Sequence, residues 1–320
     1  MTKVAIAGCG LIAGGPLREG RPIATNHAGA CRATGCSLVG AADMDAARRE
    51  TFGAYWAVPT FASVDAMLAA TRPDILVVAT PQETHLHVCE AGIAAGVRGI
   101  LCEKPLSGHA STARRIVDAA RIARVPLAVN FTRRWDLTHH DLRERVRVGA
   151  LGDLVSVLGT YTGTLRGNGS HMVDTVRMLA APGPWDIGWS SALPAGADDG
   201  PVAATVSSGT CVVHIAPVVG AQYFVFEIQL IGTRGRARLL LGGNDVRVDL
   251  PAPSPQYPGY KYLLDERPLP KDTLPQAFAN ALAALAAATR GEAPLPYDAE
   301  EHLGTLETIE RLTQHATSPS

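Results

Sequence analysis

The stretch Val4-Ala-Ile-Ala-Gly8-Cys-Gly10-Leu-Ile-Ala13-Gly14 decides the fold of the N-terminal part of the chain. An apolar run typical of a buried strand leads directly into the pattern G-x-G-x-x-A. The first glycine of such a turn permits a tight bend, and the second lets the backbone approach a pyrophosphate. The small third residue allows a helix to pack against the strand. Backbone N–H groups at a helix start bind phosphate oxygens. The residues predicted to bind a dinucleotide here are Gly8, Gly10, Leu11, Ile12 and Ala13.

An acidic residue at the end of the second predicted strand supports the same prediction. The strand at 37–42 leads into Asp43, whose carboxylate can accept from both ribose hydroxyls and would repel a 2′-phosphate. This favours NAD over NADP. Asp43 follows Gly8 by 35 positions, where roughly 20 is usual. The excess lies in residues 15–24, which hold two prolines and two glycines and cannot form a regular helix. The next helix is predicted to start at Thr25 or Asn26. We expect either a loop near the pyrophosphate and substrate, or a tolerated surface insertion.

Short apolar strands alternate with Ala-rich helices over the first 130 residues. The predicted strands are 4–7, 37–42, 75–79, 99–102 and 127–130, and the predicted helices are 45–52, 64–70, 86–96 and 111–123. Strands that are apolar throughout and separated by helices indicate a parallel sheet covered on both faces. The N-terminal part is therefore predicted to be an α/β Rossmann domain with a doubly wound parallel sheet.

The pattern of predicted strands and helices changes after about residue 150. The β-rich runs are 154–162, 202–216, 221–232 and 236–241, with a helix signal only at 170–180. Consecutive strands with little helix between them indicate an antiparallel sheet. Residues 251–275 are predicted to be an extended excursion, and 275–290 and 298–314 to be closing helices. A chain of 320 residues has room for about two domains. We assign 1–128 to the dinucleotide-binding domain and 129–320 to an α+β domain with a mostly antiparallel sheet.

The composition excludes several classes of protein. Apolar residues make up 47% and charged residues 18%, which favours packed cores over disorder. The formal net charge of −1 argues against a sequence-independent nucleic-acid binder. The apolar runs are too short for a membrane span, and the first residues show no leader pattern. The six cysteines form no CxxC pair, which disfavours zinc knuckles and disulfide frameworks. We expect a cytoplasmic protein with no nucleic-acid or membrane partner.

Two further segments carry the chemistry. Ile100-Leu-Cys-Glu103-Lys104-Pro105 ends a predicted parallel strand, and Asn168-Gly-Ser-His171-Met-Val-Asp174 leads into the predicted helix at 170–180. Glu-Lys-Pro in that place, then the G-S-H-x-x-D helix, resembles the Gfo/Idh/MocA family of glucose–fructose oxidoreductase and inositol dehydrogenase. The turn Ile231-Gly-Thr-Arg-Gly235 and the closing segment 291–301 extend the resemblance over nearly the whole chain.

The resemblance implies both an activity and an assembly. It implies an NAD(P)-dependent enzyme that moves a hydride between nicotinamide and a carbinol or keto carbon. The substrate would be a small polyhydroxylated molecule: a sugar, amino sugar or cyclitol. It also implies a large open C-terminal sheet that joins subunits into a homodimer or homotetramer.

Lys104 and His171 are the predicted catalytic residues. A lysine at a strand's carboxyl end beside a positively charged nicotinamide would have a lowered pKa and could hydrogen-bond the reacting oxygen. The other interpretation is a structural ion pair with Glu103. An unperturbed pKa near 6.5 suits His171 to proton exchange. Asp174 lies on the same helix face and could orient the histidine ring.

The segment before His171 departs from the family pattern. Many members carry Asp four residues before the histidine, where this chain has Gly167. The change removes an acceptor for a substrate hydroxyl. Either Asn168 substitutes through its amide, or the substrate needs no such acceptor, or Lys104 carries more of the proton transfer. We also expect Asn168 or Ser170 to cap the helix.

The remaining candidates lie at the carboxyl edge of the predicted parallel sheet. Asn130 could bind substrate or the nicotinamide carboxamide. Arg133 and Arg134 are interpreted as solvated charges, with binding of a substrate phosphate or carboxylate as the alternative. The predicted cofactor-binding residues after the glycine-rich turn are Asp43, Thr80, Pro81, His85, Glu103 and Lys104. The predicted substrate-binding residues are Asn130, Asn168, Asp174 and Arg134. The spacing of the histidines predicts no metal site.

Two other functions remain open on sequence alone. A reductase of a keto-sugar or imine in a specialised biosynthetic pathway would use the same residues in the opposite direction. A non-catalytic NAD- or sugar-binding sensor would keep the fold and lack the chemistry. Gly167 is the only support for the sensor, whereas Lys104 and His171 speak against it.

Overall fold

The computed structural model describes residues 1–15, 25–181, 183–193, 200–297 and 299–317. These residues form two compact units. The first unit comprises Met1–Trp135 and Pro275–Leu303, and the second comprises Asp136–Leu274 and the chain from Gly304 onward. Residues 275–303 thus pack with the first unit, whereas the sequence analysis placed every residue after 128 in the second domain. The predicted loop at 15–24 lies outside the described residues, apart from Gly15.

A six-stranded parallel sheet forms the centre of the first unit. Its strands are β1 Lys3–Ala7, β2 Ser37–Ala42, β3 Thr60–Phe61, β4 Ile75–Val78, β5 Gly99–Cys102 and β6 Leu127–Val129. They lie in the order β3-β2-β1-β4-β5-β6, and every neighbouring pair is parallel. The direction of strand addition reverses between β1 and β4. In open α/β sheets, ligands bind at this switch point, outside the carboxyl ends of the strands.

The helices follow the predicted pattern in the first unit and add one in the second. In chain order they are α1 His27–Thr34, α2 Ala46–Trp56, α3 Val64–Thr71, α4 His85–Ala94, α5 Ala110–Ala123, α6 Leu137–Arg147, α7 Ser170–Leu179, α8 Ala277–Thr289 and α9 Ala299–Thr317. Helix α8 packs against α1 and β5, so a segment from late in the chain covers part of the parallel sheet. Among the described residues, no helix combines the length and apolar character that crossing a bilayer requires.

Side-chain caps explain where several helices begin. Asn26 accepts from the Gly29 N–H at the start of α1, and Asp45 accepts from two N–H groups at the start of α2. Ser63 and Asp136 cap α3 and α6 in the same way. Each side-chain oxygen satisfies an N–H group that the helix itself leaves without an acceptor.

An eight-stranded sheet forms the centre of the second unit. Its strands are β7 Leu154–Tyr161, β8 Asp186–Ala192, β9 Val202–Ser208, β10 Cys211–Pro217, β11 Phe226–Gly232, β12 Arg236–Leu240, β13 Asp245–Pro253 and β14 Lys261–Pro268. The order is β14-β13-β12-β11-β7-β10-β9-β8. β7 and β10 pair in parallel, and the other neighbours are antiparallel. The predicted fold class, a doubly wound parallel sheet followed by a mostly antiparallel sheet, is confirmed.

Several details of the second unit differ from the sequence analysis, and strand β8 lies in none of the predicted runs. The run 202–216 is a hairpin of two strands, β9 and β10, and not one strand. Much of the Pro-rich excursion at 251–275 belongs to β13 and β14, whose ladder forms despite the prolines. The sequence analysis predicted no helix between residues 130 and 150, where α6 lies. Helix α6 is strongly polar and buries only Thr138, His139 and Leu142, so it has little apolar periodicity to detect.

Candidate functional site

Gly8 fixes the bend between β1 and the glycine-rich turn. Its φ of +99° lies in a region that favours glycine, and its N–H donates to Ala42 O at 2.6 Å. A Cβ at this position would lie 2.4 Å from Ala79 O. Both the backbone conformation and the close contact therefore require glycine here.

The residues after Gly8 form one turn with unused donors. The N–H groups of Ala13, Gly14 and Gly15 all point to Gly10 O, at 3.1, 3.2 and 3.1 Å. In the part of the chain that the structure describes, the N–H groups of Gly10, Leu11 and Ile12 have no acceptor. A Cβ at Gly10 would meet nothing within 4 Å, so open space lies beside these donors. Free N–H groups around open space fit a pyrophosphate.

Helix α1 resumes the turn that starts at Gly10. The N–H groups of His27 and Ala28 donate to Ile12 O at 3.1 Å and Ala13 O at 2.9 Å. In an uninterrupted helix these two oxygens would accept from residues 16 and 17, so α1 continues the turn eleven positions later in the chain. Without these eleven inserted positions, Asp43 would follow Gly8 by 24 positions and not 35, which explains the unusual offset.

Asp43 is held between the glycine-rich turn and α2. Its Oδ2 accepts from the Cys9 N–H at 2.8 Å, and its Oδ1 accepts from the Asp45 N–H at 2.9 Å. Each carboxylate oxygen keeps a further lone pair that a ribose hydroxyl can use. A cavity of about 390 Å³ adjoins it. Among the residues that line this cavity are Gly8, Gly10, Asp43, Met44, Arg48, Thr80, Pro81 and His87.

The His85 ring contacts the backbone of two different turns. The ring is 1% exposed, and Nε2 donates to Thr80 O at 2.9 Å. Nδ1 lies 3.1 Å from Leu106 O and 3.4 Å from Cys102 Sγ. Both ring nitrogens are therefore occupied by the protein. The sequence analysis did not select His87, two residues later, although the structure places it on the cavity wall.

Lys104 follows β5 and is partly buried. Within the described residues, its ammonium group has neither a hydrogen bond nor an ion pair. Burial lowers the pKa of Lys104; the nearby Glu103 carboxylate raises it and Arg133 lowers it, and the net effect is a lowered pKa. The predicted direction of the shift agrees with this, although the prediction attributed it to the nicotinamide charge. The Lys104–Pro105 peptide bond is cis.

Glu103 pairs with a histidine and not with Lys104. Its Oε1 accepts from His27 Nε2 at 2.8 Å and from Asn130 Nδ2 at 2.7 Å. Its Oε2 accepts from the Lys104 backbone N–H at 3.2 Å. Burial by itself would raise the pKa of Glu103, but the hydrogen bonds and charge of His27, with those from Asn130 and Lys104 N–H, lower it. The structural pair between Glu103 and Lys104 side chains is therefore absent from the described residues.

His27 is a site residue that the sequence analysis missed. It is 1% exposed and begins α1, and it lies 76 positions before Glu103. The G-x-G-x-x-A pattern gives no signal for it, because the insertion separates the two. Asn130, also 1% exposed, leaves its Oδ1 without a partner in the described protein.

The interpretation of Arg133 and Arg134 as solvated charges is wrong. They are 6% and 2% exposed. Arg134 donates to Glu301 Oε2 at 2.6 Å, and its guanidinium lies 5.2 Å from the centroid of the Tyr297 ring. A buried guanidinium requires such partners, and they come from the segment 275–303.

In the second unit, a π-helical turn at Leu165–Gly169 leads into α7. Every residue of α7 except His171 is buried, so this side chain alone is left partly accessible on an otherwise enclosed helix. Asp174 is 1% exposed and accepts from Thr305 Oγ1 at 3.1 Å.

The predicted caps for α7 are wrong. Thr164 Oγ1 accepts from the Gly167 N–H at 3.0 Å, whereas Asn168 Nδ2 donates back to Thr162 O at 2.8 Å and Ser170 Oγ donates to Gly167 O at 2.7 Å. Because the π-helical turn directly precedes α7, Thr164 caps the start of that turn and not the start of α7. A Cβ at Gly167 would lie 2.9 Å from Thr164 Oγ1, so the threonine occupies the space that a side chain would need.

Among the described residues, His, Cys, Asp and Glu form no group of three or more that could hold a metal ion.

Residues 2–131 match the model of the oxidoreductase family Gfo/Idh/MocA, NAD-binding Rossmann fold. Residues 2–131 thus resemble the NAD-binding domain of the Gfo/Idh/MocA family. Inositol 2-dehydrogenase of Leifsonia xyli subsp. xyli is 32% identical over 129 residues, which are 40% of this chain and 38% of that protein. The rhizopine catabolism protein MocA of Rhizobium meliloti is 36% identical over 100 residues, 31% of each chain. The chain thus matches about a third of these relatives' length.

Solved structures of oxidoreductases resemble the chain over nearly its whole length. An oxidoreductase of Agrobacterium radiobacter, crystallised with NAD⁺, L-tartaric acid and magnesium, has a TM-score of 0.76 at 18% identity, with 99% of this chain and 96% of that chain covered. An NAD-binding oxidoreductase of Klebsiella pneumoniae has a TM-score of 0.79 at 17% identity, with 98% and 97% covered. At identities this low, the structural similarity shows a common fold alone. The predicted cofactor class, NAD bound to a Rossmann domain, agrees with the family.

Proposed function

We propose that the protein is an NAD-dependent oxidoreductase of CH–OH groups, acting on a sugar, amino sugar or cyclitol. The observation that carries this proposal is the partly buried Lys104, which has no ion pair among the described residues and a lowered pKa. It follows β5 at the same sheet edge as the glycine-rich turn. An amine that loses its proton more easily can exchange one with an alcohol.

In the first unit, one set of residues would bind the cofactor and another residue would transfer the proton. The N–H groups of Gly10, Leu11 and Ile12 would hold the pyrophosphate, and Asp43 the adenosine ribose. NAD, when bound, supplies the hydride acceptor. Lys104 would hydrogen-bond the reacting oxygen and take its proton.

His171 is proposed as a second acid–base residue. It is the partly accessible residue of α7, whose other side chains are buried. Imidazole is the side-chain group best suited to proton transfer at neutral pH. Replacement by Ala is expected to lower kcat by about 10²–10⁴-fold, the usual contribution of a general acid–base group.

The test is a panel of sugars, amino sugars and cyclitols offered to the full chain with NAD, with NADH formation as the readout. The wild-type protein is expected to reduce NAD with at least one substrate. Lys104→Met is expected to bind NAD normally and lose at least about 10²-fold in kcat. Lys261→Met, on the exposed strand β14, is the matched control and should turn over normally. Equal turnover by Lys104→Met would refute the role of Lys104, and tight NAD binding without any turnover would favour the sensor.

We propose NAD and not NADP as the working cofactor. The Asp43 carboxylate would lie against a 2′-phosphate, and its two backbone donors hold it in place. Calorimetric titration should show NAD binding at least about tenfold more tightly than NADP, a difference of 1.4 kcal/mol. Asp43→Asn should reduce this difference between the affinities for NAD and NADP. Tighter binding of NADP by the wild type would overturn the proposal.

We propose that the second sheet joins two or more copies through its open face. Side chains alternate between the faces of a strand, and the pairing register places Trp189, Thr205, His214, Leu158 and Gln229 in one row across it. Trp189 and Leu158 are 51% and 42% exposed. Leu158→Arg should shift the sedimentation mass toward the monomer, whereas Ile122→Arg on α5 should not. A wild type that sediments as a monomer contradicts the proposal.

A further inference from the structure

The carboxylate next to Lys104 in the chain is bonded away from it. Glu103 uses one oxygen for His27 and Asn130 and the other for the backbone N–H of Lys104. A carboxylate and an ammonium on adjacent residues attract each other strongly in partly buried surroundings. Something must therefore prevent Glu103 from pairing with the Lys104 side chain.

His27 is held so that it cannot turn away from Glu103. Its ring packs edge-on against Phe278, with centroids 5.0 Å apart and planes at 73°. Its backbone N–H donates to Ile12 O at 3.1 Å, in the glycine-rich turn. The ring is 1% exposed, and Glu103 is 12% exposed, so water competes little for the bond between them. A hydrogen bond to a carboxylate in such surroundings is short and strong.

We propose that His27 is a positioning residue that holds the Glu103 carboxylate away from the Lys104 side chain and so leaves the amine available to substrate. His27 acts through Glu103 and needs no contact with the substrate. The same residue joins the dinucleotide turn, through Ile12, to the segment that carries Lys104. The inference rests on the proposed function for the use made of Lys104, but the contacts themselves lie within the first unit.

The proposal predicts how the ionisation of Lys104 depends on its neighbours. Burial and Arg133 favour the neutral amine, and Glu103 favours the ammonium. Without His27, the carboxylate loses its histidine partner and can rotate toward Lys104, which stabilises the ammonium and raises the pKa of Lys104. If Glu103 is also replaced by Gln, no carboxylate remains to pair, and the amine should recover.

The experiment measures the reactivity of the Lys104 amine directly. The full-length chain is pulsed with acetic anhydride at several pH values, and mass spectrometry gives the labelling of Lys104 relative to exposed Lys261. We expect His27→Ala to slow Lys104 labelling at neutral pH at least about fivefold, because each unit of pKa rise lowers the neutral fraction tenfold. His27→Ala with Glu103→Gln should restore labelling to at least the wild-type rate, because Glu103 already favours the ammonium in the wild type. His139→Ala, which removes another buried histidine–carboxylate pair, with Asp136, is the matched control and should label normally.

Two outcomes would overturn the proposal. One is wild-type labelling in His27→Ala. The other is a double variant as slow as His27→Ala, since a histidine that merely fills space would not be rescued by removal of a carboxylate. Should His27→Ala fail to fold, His27→Phe keeps the packing against Phe278, removes the donor and carries the same expectations.

Turnover measured on the same variants separates this inference from the proposed function. Labelling reports the state of the amine whatever reaction the protein catalyses. If labelling falls and recovers as expected while kcat stays constant, the positioning role stands and the role of Lys104 in hydride transfer is refuted. If kcat follows the labelling, both stand.

Discussion

Alanine at two glycines of the dinucleotide turn should have different effects, a loss of stability at Gly8 and a loss of NAD affinity at Gly10. At Gly8, alanine would have to adopt φ of +99° with its Cβ 2.4 Å from Ala79 O. A strained backbone conformation costs about 1–3 kcal/mol and overpacking about another 1–3 kcal/mol. Gly8→Ala should therefore lower the free energy of unfolding by about 2–6 kcal/mol. At roughly 2–4 °C per kcal/mol, the first unit should melt about 4–24 °C lower.

At Gly10 the methyl group would enter open space. Nothing lies within 4 Å of its Cβ, and its φ is not positive, so Gly10→Ala should change the free energy of unfolding by no more than about 1 kcal/mol. The methyl would instead occupy the place proposed for the pyrophosphate, and NAD affinity should fall at least about tenfold.

Differential scanning calorimetry and NAD titration on the two variants give four numbers that check this reasoning. Gly8→Ala with an unchanged Tm would contradict the geometry of the turn. Gly10→Ala with wild-type NAD affinity would show that the free N–H groups of this turn do not hold the cofactor.

Two further predictions concern stability. Asp136→Asn keeps an oxygen to cap α6 but removes the charge beside buried His139, and should cost about 3–5 kcal/mol at neutral pH, whereas Asp45→Asn at the exposed cap of α2 should cost much less. Burial alone would raise the pKa of Asp136, but the His139 contacts lower it. The stabilisation that the Asp136 carboxylate contributes is therefore full above its unfolded pKa of about 3.9, and it is lost as the pH falls through the folded pKa. Chemical denaturation at a series of pH values checks this, and equal behaviour of Asp136→Asn and Asp45→Asn would contradict it. Leu285→Ala in α8, at a side chain with 0% exposure, should cost about 2–5 kcal/mol, and Leu137→Ala, 63% exposed, no more than about 0.5 kcal/mol; equal urea midpoints would show that α8 is not part of the packed core.

The parallel sheet could be predicted from sequence because buried parallel strands are apolar on both faces. Strands β1, β2, β4, β5 and β6 all lie where the apolar runs predict, within a residue at each end. Strand β3 has only two residues and leaves no such run. Strands β13 and β14 carry prolines and exposed charges, so only the pairing between them identifies them as strands.

Features of the candidate site could be predicted from sequence where all the residues that produce them lie in one segment of the chain. The bend at Gly8 follows from the local pattern, because only glycine tolerates that backbone conformation next to a strand. The partner of Glu103 could not be predicted, since His27 lies 76 positions away and neither residue's neighbours indicate the other. The burial of Arg134 had no local signal either, because Glu301 and Tyr297 come from the segment that packs back onto the first unit.

The transfer of deuterium from substrate to cofactor tests the central claim most directly. A substrate that the panel identifies is labelled with deuterium at its carbinol carbon and incubated with NAD and the wild-type protein, and the NADH is analysed by NMR. The account predicts deuterium at nicotinamide C4 in the wild-type product and at least about 10²-fold slower formation of it by Lys104→Met. NADH without deuterium, or labelled NADH formed equally fast by Lys104→Met, would contradict the account.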